Sequence, residues 1–139
     1  MTSYTASTSG DWFANSTWAG GTSPRVFLGS ADSVTINSGI TVTIDQGYTV
    51  QCHGSITNNG TITLNGSICM NAGTLTNASG ATINVTTNGT LANSSTVSNS
   101  GTITIQNGGN VLNHAYNQYG VLSGTAIVNS SNGYFYNSI

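Results

Sequence analysis

The chain has 139 residues, the size of one domain, with 37% apolar residues, only 3% charged residues and a formal net charge of −2. Arg25 is the one basic side chain, Asp11, Asp32 and Asp45 are the acids, and Lys and Glu are absent. That balance argues against nucleic acid as a partner, because phosphate neutralisation needs Lys and Arg in number. It also argues against ordinary surface helices, and no apolar run is long enough for membrane insertion.

Residues 1–38 show no repeat and concentrate the large aromatics Trp12, Trp18, Phe13 and Phe27. They are expected to form an N-terminal cap over a repetitive domain spanning residues 39–139. The opening MTSYTASTSGDW lacks the basic start and apolar stretch of a secretory signal, so an uncleaved start is the simpler expectation.

From Gly39 onward the chain repeats itself. GITVTI begins at Gly39, GTITL at Gly60, GATINV at Gly80 and GTITI at Gly101, giving steps of 21, 20 and 21 residues. Each period divides into three short alternating segments, as in ITVTI, YTVQC and GSITN. Thr, Val and Ile favour strands, while Gly, Asn and Ser favour turns. Three strands per period of about 21 residues predict an all-β fold, a parallel β-helix (β-solenoid) of about five three-stranded coils. Alternation places Val42, Ile44, Ile62, Leu64, Ile83, Val85, Ile103 and Ile105 on one inward sheet. Val50, Ile68, Leu91 and Val111 belong to the second, and Ile56, Leu75 and Val97 to the third. Burying each such side chain contributes about 1.5–3 kcal/mol. No single coil can bury its own, so the repetition is itself the source of the core.

Asn residues recur at strand ends. Asn58, Asn77 and Asn99 close the third segment of successive coils, and Asn71, Asn93 and Asn113 lie at or near the end of the second. Side-chain amides in such columns can form hydrogen-bonded ladders along the stack. Regularity is lost at HAYNQYG, so residues from about 114 to 139 form a less regular C-terminal end. There Tyr116, Tyr119, Tyr134 and Tyr136 are candidate interface residues, since Tyr buries area and keeps a polar tip. A terminal cap is the competing reading of the same aromatics.

The segment GDWFANSTWAGGTSP followed by ADSVTINSGITVTID resembles the opening of β-helical surface and secreted modules, including G8-type domains. Similar openings precede β-helical pieces of phage virions, such as capsid decoration and tail-fibre proteins. The resemblance covers about residues 10–45. It implies a fold and, for the virion type, a homo-oligomer, commonly a trimer, assembled with other virion or surface proteins.

Chemistry is sparse. No nucleophile, base and orienting carboxylate can be assembled, so no catalytic residue, cofactor or metal is expected. Asp32 and Asp45 are expected to be neighbours near one corner, where structural turn roles are favoured over a cation site. His53 and His114 occupy equivalent places three coils apart, roughly 14 Å at strand spacing, too far to share a metal. Strand alignment points Cys52 inward and Cys69 outward, against a disulfide.

One outward pattern remains. Thr41 and Thr43, Thr61 and Thr63, Thr82 with Asn84, and Thr102 and Thr104 should stack as a Thr array on one face. Such arrays resemble the flat faces of some ice-binding proteins, although Thr is also the default outer residue of an uncharged strand. The expected function is therefore structural and non-enzymatic, a virion component such as a capsid decoration (cement) protein or a tail-fibre or spike part. A secreted or cell-surface adhesin, filament subunit or sugar-binding module and an ice-binding protein are the alternatives.

Overall fold

A computed structural model describes residues 1–113, 121–124, 127–129 and 133–137. The chain winds as a parallel β-solenoid. The first turn holds β1 (Ser3–Ala6), β2 (Gly10–Asp11) and β3 (Phe27–Leu28). Next come β4 (Ser33–Ile36), β5 (Thr41–Ile44) and β6 (Thr49–Cys52), then β7 (Ser55–Asn58), β8 (Thr61–Leu64) and β9 (Ser67–Met70). The fourth turn is β10 (Thr74–Asn77), β11 (Thr82–Val85) and β12 (Thr90–Asn93), and the fifth is β13 (Thr96–Asn99), β14 (Thr102–Ile105) and β15 (Asn110–Asn113). A last turn supplies β16 (Val121–Gly124), β17 (Ile127–Asn129) and β18 (Tyr134–Asn137).

Each turn adds one strand to each of three six-stranded sheets. The first sheet runs β1-β4-β7-β10-β13-β16, the second β2-β5-β8-β11-β14-β17, and the third β3-β6-β9-β12-β15-β18. Four turns, residues 33–113, are regular and contain only four-residue strands. The second and fourth residues of each strand are buried and the first and third are more exposed, Ala92 excepted, which is what a strand with one face inside requires.

The predicted interior columns stand as expected. Val42, Ile62, Ile83 and Ile103 are direct register partners and fully buried. Val50, Ile68, Leu91 and Val111 line the third sheet, and Ile56, Leu75 and Val97 the first. All belong to one continuous core. Register is strict because a one-residue slip would turn every aliphatic side chain out to solvent.

The N-terminal segment differs from a cap laid over a stack that begins at Gly39. Strand pairing already starts at Ser3, where β1 is in register with β4. The sequence period is hidden there for a physical reason. An insertion between β2 and β3 carries a 3-10 turn (Asn15–Thr17), and both flanking strands shrink to two residues. The insertion folds over the end of the core. Trp12 and Trp18 are buried and meet edge to face at 5.3 Å, and the Trp18 indole N–H donates to the Trp12 carbonyl at 2.8 Å. Ala6 and Trp18 form an antiparallel bridge, and the Ala19 N–H donates to the Thr5 carbonyl at 2.8 Å. The outer edge of β1 is thereby occupied by the chain itself, which removes a template for strand addition. Among the described residues no helix is long and apolar enough to cross a membrane.

Candidate functional site

The strands present their outward side chains as three different surfaces. On the second sheet Thr41, Thr61, Thr82 and Thr102 form one column, and Thr43, Thr63, Asn84 and Thr104 form the next. All are half-buried. The columns are roughly 6.7 Å apart along the strand and their members roughly 4.8 Å apart along the axis. The predicted Thr array is thus assembled in register, with Asn84 as its interruption.

The first sheet carries a second hydroxyl surface of equal regularity. Ser3, Ser33, Ser55, Thr74 and Thr96 align in one column, and Thr5, Thr35, Thr57, Thr76 and Ser98 in the other. The third sheet is different, and sequence reading missed it. Its outward column runs Phe27, Gln51, Cys69, Ala92, Leu112 and Tyr136. Phe27 is 55% exposed and Tyr136 43%. The column was available in the sequence, as the third residue of each TVQC, SICM, TLAN, NVLN and YFYN segment. Alignment of TVQC with SICM already sets Cys69 against Gln51, but extending the column to Phe27, Ala92, Leu112 and Tyr136 crosses corners of unequal length. No charged residue lies in any strand of residues 33–113.

Of the predicted interface tyrosines, Tyr116 and Tyr119 lie outside the described residues, as does His114. Tyr134 pairs with Asn110 at the start of β18, and Tyr136 extends the outward column of the third sheet. Phe135 continues the Val111 core column and is 36% exposed.

The Asn columns are ladders in part. The Asn58 amide donates to Asn77 Oδ1 at 2.7 Å, and the Asn77 amide donates to Asn99 Oδ1 at 2.8 Å. All three are buried and continue inward the column that Ala6 and Ile36 begin. In the other column the Asn93 amide donates to Asn113 Oδ1 at 2.8 Å. Asn71 does not belong to it. Met70 is the register partner of Asn93, and Asn71 sits one residue further on, donating to Gln51 Oε1 at the surface.

The acids are also rearranged relative to expectation. Asp32 and Asp45 are not a pair. Asp45 faces Asp11, because β2 lies beside β5 and sets Asp11 opposite Thr43. Desolvation, and then the neighbouring Asp11 carboxylate, raise the Asp45 pKa. Asp11 Oδ1 accepts from the Phe13 N–H at 2.6 Å, while its Oδ2 is buried and has no hydrogen-bond partner. Asp32 sits at another corner, where the Gly29 and Thr2 N–H groups hold its pKa below the ordinary carboxylate value.

Cys52 and Cys69 are free thiols. Cys52 points inward and donates weakly to the Gly54 carbonyl, and burial pushes its pKa up to about 11. Cys69 faces outward opposite Gln51, with its pKa raised by partial burial. Neither is poised as a thiolate nucleophile. His53 tilts against Phe27 with ring centroids 5.0 Å apart. Among the described residues no group of three or more His, Cys, Asp or Glu side chains comes together. Comparison with protein-family models, with curated proteins and with solved structures gave no match.

Proposed function

We propose that this chain is a non-enzymatic structural module, a short β-solenoid rod that assembles through its side faces. The observation that carries this reading is the absence of charge from every strand of residues 33–113, which leaves broad faces of Thr, Ser and Asn beside one largely apolar column that Gln51 interrupts. Surfaces of free monomers are normally studded with charges that keep copies apart. Short hydroxyl side chains also lose little rotamer entropy on contact. The assembly fits a virion, with the rod as a capsid decoration or tail-fibre part in contact with copies of itself. The same faces suit a secreted or cell-surface filament or adhesin, and the identity of the neighbouring genes separates the two settings.

Analytical ultracentrifugation over a wide concentration range tests assembly directly. Concentration-dependent association is expected, and it should weaken when a charge is placed on a face, as Leu112→Lys on the third sheet or Thr63→Lys on the second. A protein that stays monomeric throughout, or associates equally well with both lysines in place, overturns the reading. A second reading rests on the registered rows of Thr41, Thr61, Thr82 and Thr102, a regular hydroxyl lattice suited to ordered water. A thermal-hysteresis measurement on the pure protein decides it, and no effect at millimolar concentration ends it.

A further inference from the structure

At the corner where the third sheet hands over to the first, the chain forms an open groove of about 480 Å³. That size falls in the range of small-molecule sites, roughly 300–1,000 Å³. Gly54 and Gly73 line it on successive turns, where the chain packs so closely that a Cβ on Gly54 would run into the Asp32 carbonyl oxygen and one on Gly73 into that of Gly54. Along the groove Ser33, Ser55 and Thr74 are register partners, so their hydroxyls repeat at roughly 4.8 Å. His53, Asp32 and Ser30 supply the remaining polar side chains.

Two of these groups, His53 and Asp32, are held in place. The His53 ring rests on Phe27. Asp32 Oδ1 accepts from the Thr2 N–H and Oδ2 from the Gly29 N–H, each at 3.0 Å. A carboxylate offers about four acceptor positions, so Asp32 keeps capacity for further donors. Groups fixed in advance lose little entropy when a ligand arrives.

The lining selects a chemistry. It contains no Lys or Arg, and its two charged groups, the Asp32 carboxylate and the Met1 amino terminus, oppose each other, which leaves no net charge to select an ion. One carboxylate with one imidazole falls short of a metal-ligand set. What remains is a ligand with both C–H faces and hydroxyls, matched by glycine methylenes and alanine methyls beside a hydroxyl ladder. We propose that this corner groove binds a neutral mono- or disaccharide, with Asp32 accepting from sugar hydroxyls and His53, Ser55 and Thr74 exchanging hydrogen bonds with them. Ser33, Ser55 and Thr74 also belong to the outward column of the first sheet, so the groove stays open when copies meet through the second or third sheet.

The experiment is an amide NMR titration of isotope-labelled protein with maltose, cellobiose, lactose and N,N′-diacetylchitobiose. At least one sugar should give saturable shifts centred on Gly54, Gly73, Ser55 and Thr74, with a dissociation constant on the order of 1 mM. His53→Phe keeps a ring against Phe27 but removes both nitrogens, and Thr74→Val keeps the strand but removes the hydroxyl. Each should weaken binding about tenfold, equivalent to about 1.4 kcal/mol, with the melting temperature unchanged. If one variant melts early, the other decides. No saturable shift with any of the four sugars, shifts centred elsewhere, or undiminished binding by the folded variants overturns the proposal.

Discussion

Asn77 shows how much one side chain can carry in a thin core. It accepts from Asn58 and donates to Asn99 Oδ1 and to the Thr102 carbonyl at 3.1 Å. Asn77→Ala breaks the ladder at its centre and strands buried polar groups above and below, so a loss of about 2–3 kcal/mol is expected in denaturant unfolding. Asn71→Ala, at the exposed Gln51 contact, should stay within about 0.5 kcal/mol. The Asp11–Asp45 pair makes a prediction of opposite sign. A raised native pKa means that the folded protein holds the Asp45 proton more tightly than the unfolded chain does. The resulting stability is present below the unfolded pKa and is lost as pH rises through the folded value. Asp45→Asn removes the repulsion and offers a donor near the unpartnered Asp11 Oδ2. Its melting temperature should exceed that of the parent at neutral pH, with the gap closing on acidification. Equal pH profiles for the two proteins would refute the pairing.

Strands and corners divide the labour at the level of elements. The strands are interchangeable four-residue units whose β-branched residues alternate in and out. The corners carry the steric constraints. Gly73 is the sharpest case, since its Cα passes so close to the Gly54 carbonyl that no side chain fits. Gly73→Ala must push two turns apart, and a loss of about 3 kcal/mol is expected in a thermal or urea melt. A melt like that of the parent would mean the corner is slack. The strand content and its approximate boundaries were legible from Thr-apolar-Thr alternation alone. The corners were not, because their lengths vary and the contacts that constrain them lie one whole turn away in sequence.

The whole molecule is a one-dimensional stack in which each turn buries its apolar side chains against the turns above and below. Such a stack is vulnerable at its ends, where the core would open to water. At the N-terminal end Trp12, with Trp18 against it, closes the tube and the Thr17–Ala19 stretch occupies the β1 edge. Trp12→Ala should cost about 3–5 kcal/mol and leave that end open. Faster aggregation on mild heating is expected along with the lower melting temperature. A variant that loses stability without aggregating would show that the strand edge, and not the indole, guards this end.

The amino-acid sequence by itself determined the architecture here. A period of about 21 residues, alternation within it and a nearly charge-free composition allow only stacked strands around a shared core, because local pattern alone dictates which side chains must leave water. It equally specified which of Cys52 and Cys69 faces inward. Tertiary structure alone decided what meets across turns of unequal length. It set Asp11 beside Asp45, placed Met70 where Asn71 was expected, aligned Phe27 with Leu112 and Tyr136, and brought Asp32 and His53 to one groove. Those neighbours are separated by corners and an insertion whose lengths carry no period, so their register comes from the packing of the core.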